Sequence, residues 1–289
     1  MSDRLTAAQA ALNAGRKDEA IEHLIAAVTE DATRNVQVYR VLTVQLYSAG
    51  RFEEGERFAG QALARYPRDY DLLNTRGVLL RKLKRQAEAV PVFEAAVKVN
   101  PKNLAAQQNL GNVLLDLKEA ARAEALFTKL VRAEPRNSEF QRQLGRALHQ
   151  QGKIEPALVR FRQAVSLKKD SIDAWLDMVG TLNEEFRTKE SEEVLDRALA
   201  ANPGHQRLLE GKAMALRRSG QLRQAEAFLT GLLPANPDAA WLHYQLGVLV
   251  ADWDREKANA HLRKAVDLEP EKLDYATALV ESLERTRLG

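Results

Sequence analysis

The sequence predicts an all-α protein, a solenoid of about eight stacked helix hairpins with one further helix at the C-terminal end. Three observations carry this expectation. The apolar 45% of the 289 residues is dominated by Ala and Leu, with only 8 Phe, 6 Tyr and 3 Trp, a set that suits closely packed helices better than twisted sheets. Six of the nine prolines, Pro67, Pro101, Pro135, Pro203, Pro237 and Pro270, are separated by 34, 34, 68, 34 and 33 residues, and Lys169 fills the place that the double interval skips. Between these marks the apolar residues recur at three and four positions, which is helical spacing, in two blocks split by a short turn.

Aligned on the prolines, the units run 1–35, 36–69, 70–103, 104–137, 138–171, 172–205, 206–239 and 240–270, followed by a helix over 271–287, all read as a single solenoid over 1–289. The first unit has Ala32 where most of the others close with Pro, as suits an end repeat. The second places Leu42 and Ala62 on either side of the turn Ala49-Gly50-Arg51-Phe52, with Gly55 where other units have Ala. In the third, Gly77 is followed by Ala89, Phe93 and Ala96, and in the fourth Leu110 and Gly111 by Ala123 and Phe127. The fifth repeats this with Leu144, Gly145, Ala157, Phe161 and Ala164 around the turn Gln151-Gly152-Lys153. Trp175, Ser191 and Ala198 mark the sixth, Ala225 the seventh, and Leu246, Gly247 and Ala265 the eighth, which is one residue short in its turn near Asp254. Gly111, Ala123 and Ala96 let helices approach closely, Phe127, Leu114 and Trp175 fill the spaces between hairpins, and Pro stops the second helix. One hairpin alone cannot bury its apolar face, so neighbours must share a continuous core.

With Gln107, Leu110, Gly111, Leu114, Ala123, Phe127 and Pro135 in the fourth unit, the chain resembles the tetratricopeptide repeat family over nearly its whole length. That resemblance implies a right-handed superhelix whose first helices line a concave groove. It also implies that positions beside the Leu-Gly pair, and one turn from it, face the groove. These are Asn74, Thr75, Val78, Arg81 and Lys82 in the third unit, Ala105, Gln108, Asn109, Asn112 and Asp116 in the fourth, and Glu139, Arg142, Gln143, Arg146 and His149 in the fifth. Asn109 and Asn112 flank Leu110-Gly111 as in the asparagine-lined superhelix of the O-GlcNAc transferase branch. Asn and Gln offer donors and acceptors to a peptide backbone, and Arg forks onto carboxylates, so such a groove suits an extended protein segment. The peptide-binding set expected is Asn74, Arg81, Lys82, Gln108, Asn109, Asn112, Arg142, Gln143, Arg146 and His149, joined by Arg217 and Tyr244 further on. Trp241 and Tyr244 either anchor a ligand side chain or pack in the core.

Chemistry of other kinds finds little footing. Without Cys there is no disulfide, thiolate nucleophile or cysteine zinc site, and His23, His149, His205, His243 and His261 are too scattered in sequence to suggest a metal site. No phosphate-binding, hydrolase-elbow or zincin motif occurs, so no catalytic residue and no cofactor is expected. No uncharged run is long enough to span a bilayer and no signal-peptide pattern opens the chain, which makes cytoplasmic the expected location.

Net charge is only +3, yet it varies along the stack: +4 in the third unit, +4 in the fifth and −5 in the sixth. Such alternation suits a protein partner and not nucleic acid. A chaperone-type carboxylate clamp is also disfavoured, because the units after Asn112 supply Gln143 and then Asp173 and Asp177, whose charge repels a C-terminal carboxylate.

The sequence therefore reads as a protein-interaction scaffold that binds a protein or peptide in its groove. The rival is a substrate-recruiting region of a larger modifying enzyme, a glycosyltransferase, sulfotransferase or oxygenase with its catalytic domain beyond residue 289. It is motivated by Gly289 falling where a ninth hairpin would turn. A capping helix, with polar Glu281, Ser282, Glu284 and Arg285, accounts for the same ending.

Overall fold

Helix starts follow from local chemistry. Asn35, Asp69, Asn103 and Asn137 recur at 34-residue intervals in extended backbone, and each side chain accepts a hydrogen bond from an amide of the helix that follows. The structure, a computed structural model, describes residues 3–30 and 35–288, so Ala32 lies outside the described residues. Among these there are seventeen α-helices, one 3-10 turn and no strand.

The helices fall into two compact units. The first, 1–167, holds five hairpins. They are α1 (Asp3–Asn13) with α2 (Lys17–Glu30), α3 (Val36–Ser48) with α4 (Phe52–Arg65), α5 (Tyr70–Lys82) with α6 (Gln86–Val99), α7 (Leu104–Asp116) with α8 (Ala120–Ala133), and α9 (Ser138–His149) with α10 (Ile154–Leu167). The second, 168–289, holds α11 (Ile172–Glu184) with α12 (Thr188–Ala201), α13 (Gln206–Arg218) with α14 (Leu222–Leu232), α15 (Ala240–Val250) with α16 (Arg255–Leu268), and then α17 (Leu273–Leu288). Within each unit consecutive helices pack on one another, and in the first unit α3, α5, α7 and α9 also touch in succession. The helix α14 ends where Pro234, lacking an amide hydrogen, diverts the chain into the 3-10 turn Leu233–Ala235.

The hairpins close by matching volumes. A Cβ added to Gly77, Gly111 or Gly145 would lie 2.5, 2.7 or 2.6 Å from the ring of Phe93, Phe127 or Phe161, all fully buried. Where the register replaces that Gly, the second helix carries a smaller partner: Val179 with Leu195, Ala213 with Leu229, and Thr43 with Ala59, all buried. In these hairpins a first-helix residue larger than Gly meets a second-helix one smaller than Phe, and in the eighth Gly247 meets Leu262, so the space is shared differently from hairpin to hairpin. At the departures from pattern, Gly55 lets Leu79 approach to 3.0 Å of where its Cβ would stand, and Ser191 is buried with no hydrogen-bond partner for its hydroxyl.

A side chain in several first helices also ties down the turn before it. Gln107 Nε2 donates to Pro101 O at 2.8 Å, Gln141 Nε2 to Pro135 O at 2.9 Å, and Trp175 Nε1 to Lys169 O at 2.9 Å. Second helices are joined by a ladder of ion pairs, Arg51–Glu22 at 2.8 Å, Arg85–Glu56 at 3.4 Å, Arg122–Glu94 at 2.6 Å and Lys153–Glu124 at 2.7 Å. Hydrogen bonds from Lys153 and Gln151 hold the Glu124 carboxyl below the usual carboxylate range, and that from Arg51 does the same to Glu54.

Candidate functional site

Once Leu and Gly of the first helices are committed to the core, their polar neighbours are left to border open space. In the first unit α5, α7 and α9 enclose a cavity of about 710 Å³, lined among others by Arg81, Lys82, Asn109, Asp116, Arg146 and Gln150, and by Lys84 and Lys118 from the hairpin turns. Asn109 Nδ2 donates to Asn74 Oδ1 at 2.9 Å, linking two first helices, and Arg81 pairs with Asp116 at 2.9 Å. The Lys82 ammonium lies 5.9 Å from the centre of the Tyr47 ring. Arg146 donates to Gln143 Oε1 at 2.9 Å. Gln150 Nε2 donates to Leu115 O at 3.2 Å, while its Oε1 is buried without a partner.

Of the residues expected from the sequence, Arg81, Lys82, Asn109 and Arg146 come together in this cavity. Asn74 borders a second cavity of about 320 Å³ between α3 and α5, beside Arg40, Val44 and Asp71. Gln108 is half-buried on α7 and His149 half-buried on α9, neither in the lining of the larger cavity. The Asn112 side-chain oxygen is buried with no hydrogen-bond partner.

Arg142 is held by Glu139 at 3.0 Å with its side chain 14% exposed. Gln143, expected to face a ligand, is buried (4% exposed) and donates to Glu139 Oε1 at 2.5 Å, so it braces α9 from within. Arg217 and Tyr244 belong to the second unit. There Arg217 is exposed on the rim of a cavity of about 410 Å³ near Trp253 and Arg285, while Tyr244 stacks on Tyr275 of α17 at 4.7 Å and 25°. Of the two roles open to Tyr244, the structure shows packing.

Lys84 and Lys118 were not anticipated, although a signal existed. They have φ of 60° and 62°, in the same register of the hairpin turn as Gly50, Gly152 and Gly220, whose φ lies at 71–75°, and as Phe186, at 56°. A non-glycine residue at a turn position that favours glycine is visible in the alignment.

A second arrangement was missed because its partners are 18 residues apart on antiparallel helices: His243 Nδ1 and His261 Nδ1 meet at 2.9 Å. His243 Nε2 lies 3.0 Å from Pro237 O, which only a protonated nitrogen can satisfy, so His243 Nδ1 is the acceptor and His261 the donor. Burial first, then the charges of His243 and Lys257, push the His261 imidazole below its ordinary range.

Among the described residues no group of three or more His, Cys, Asp or Glu is arranged to hold a metal ion, and no helix is long and apolar enough to cross a membrane.

Comparison with known families matches the tetratricopeptide repeat over residues 80–147 and 182–244, and a second tetratricopeptide repeat description over 45–103, together more than half of the chain. No curated protein matches it. Among solved structures it is similar to a tetratricopeptide repeat protein from Parabacteroides merdae, at 19% identity and a TM-score of 0.60 over 86% of this chain and 98% of that one. MamA from residue 41 to its end, from Desulfovibrio magneticus RS-1, is similar at 21% identity and a TM-score of 0.56, over 60% of this chain and 98% of that one. YrrB, described as a tetratricopeptide repeat protein with an unusual peptide-binding site, is similar at 22% identity and a TM-score of 0.54, over 66% and 98%. At these identities the likeness is one of fold. With a 34-residue beat, a Gly against a Phe in successive hairpins and family matches over most of the repeats, the chain belongs to the tetratricopeptide repeat superfamily.

Proposed function

We propose that this protein is a docking scaffold with no chemistry of its own, which holds an extended segment of a partner protein along the first helices of the 1–167 unit. The observation that carries this reading is the open cavity of about 710 Å³, where side chains of α5, α7 and α9 meet and no element of the unit fills the space. Asn109 and Gln150 supply amide groups that match a peptide backbone, with the unpartnered Gln150 Oε1 able to accept from a backbone N–H after a small rotation. Stacked hairpins offer a new set of polar groups at each repeat, which suits an extended chain lying across them. YrrB, similar in fold, is described as having a peptide-binding site, which is consistent with this use of the architecture.

The test is display of random 12-residue peptides against the full chain, with Val78→Trp as a variant that fills the cavity beside Arg81 and Asn109. A selected peptide set whose binding is lost in the variant, with circular dichroism unchanged, is the expected result. Binding that survives the filled cavity places the site elsewhere and ends this reading.

A further inference from the structure

The positive charges of the first unit are used in two different ways. On the second helices they are paired: Arg51, Arg85, Arg122 and Lys153 each reach a glutamate of the preceding hairpin. In the cavity lining they are in surplus, five cations against the single carboxylate of Asp116, which Arg81 already holds at 2.9 Å. Lys82 rests over Tyr47, and among the described residues no carboxylate pairs with Lys84, Lys118 or Arg146. Three neighbouring, unneutralised cations repel one another, and an anion entering among them relieves that repulsion.

Placement of the two lysines sharpens the point. At the equivalent turn positions the first unit elsewhere uses Gly50 and Gly152, the residue for which positive φ is free of strain, while the second unit has Gly220 and Phe186, the latter at φ 56°. Lys84 and Lys118 hold φ of 60° and 62° there, and both side chains are exposed at the cavity mouth. They occupy the same position in adjacent hairpins, whose first helices α5 and α7 are in contact. Helix axes in contact lie about 8–10 Å apart. An extended chain advances about 3.3 Å per residue, so one repeat corresponds to about three residues of ligand.

We propose that the cavity recognises an acidic stretch of polypeptide whose carboxylates recur about every third residue, meeting Lys84, Lys118 and Arg146 in turn. This rests on the peptide-docking reading above and adds the class of partner. A single-stranded nucleic acid is the other polyanion to consider. The lining argues against it, because Asp116 would face the phosphates and the one aromatic ring, Tyr47, is covered by Lys82 in place of a base.

The experiment measures fluorescence anisotropy of the full chain with four labelled probes: a 12-residue Ser/Gly peptide bearing Glu at every third position, its Gln isostere, its Lys counterpart, and an oligothymidylate of similar length. The Glu peptide is expected to bind on the order of tenfold tighter than the Gln isostere and to weaken as salt rises. The Lys84→Gln, Lys118→Gln, Arg146→Gln triple variant, checked for fold by circular dichroism, is expected to lose that preference. Equal binding of the Glu and Gln peptides, or tighter binding of the oligothymidylate, overturns the acidic preference while leaving peptide docking standing. If neither these probes nor any member of a random display library binds, both readings fall.

Discussion

Gly111 and Phe127 show how single residues set this core. The ring of Phe127 occupies the space that a Cβ on Gly111 would need, with a contact of 2.7 Å to a ring that is fully buried and has nowhere to move. Gly180, also inside a helix, has nothing within 4 Å of its would-be Cβ. The same substitution therefore has opposite signs. Gly111→Ala is expected to cost about 1–3 kcal/mol through overpacking, and Gly180→Ala to add about 0.5–1 kcal/mol through helix propensity. Urea unfolding of the two variants checks this, and the Gly111→Ala, Phe127→Leu pair should recover part of the loss, as Val179 with Leu195 does naturally. Equal effects of the two single changes would remove the volume-matching account.

At the scale of elements, the two units differ in how their first helices begin. Asn35, Asp69, Asn103 and Asn137 cap α3, α5, α7 and α9 with side-chain hydrogen bonds, whereas Ser171, His205 and Ala239, before α11, α13 and α15, make none. Capping satisfies an amide that the helix leaves open, so Asn103→Ala is expected to cost about 1 kcal/mol and Ser171→Ala close to nothing. Ala239→Asp, placed in extended backbone ahead of α15, is expected to gain up to about 1 kcal/mol. Thermal melts of the three variants read these differences directly, and a stabilising effect of Asn103→Ala would contradict the capping role.

For the whole molecule, the consequence is that acid acts on one unit ahead of the other. His261, in the 168–289 unit, is held below its ordinary pKa of 6.5 by burial and by His243 and Lys257. The unfolded chain takes up a proton as pH falls through about 6.5, while the folded unit refuses it until a lower pH. Stability is thus fully present above that value and declines as pH falls toward the depressed folded pKa. His261 contacts His243 of α15 at 2.9 Å, so the loss bears on the α15–α16 hairpin. Hydrogen exchange at pH 5 is expected to lose protection in α15 and α16 before α5 to α8. His261→Gln should flatten that pH dependence, and identical protection loss in both units would refute the assignment.

The sequence by itself determined the all-α class and the 34-residue period, because both depend on neighbours within one hairpin and the pattern is repeated many times. That Phe127 packs on Gly111 inside its own hairpin, and not between hairpins as the repeat pattern suggests, came from the tertiary structure. Arg81 and Lys82 were also legible as polar residues that packing did not require. The tertiary structure decided which polar residues remain available. Gln143 is spent on Glu139 and Arg146 and Tyr244 on Tyr275, while Asn109, tied to Asn74 through its Nδ2 alone, and Lys84 and Lys118 open onto the cavity. It alone set His243 against His261 and divided the helices between two compact units. The physical reason is range. Apolar periodicity is read over one turn of helix, but the partner of a charged or amide side chain stands on another helix, as Asp116 does 35 residues from Arg81, and nothing in local spacing specifies it.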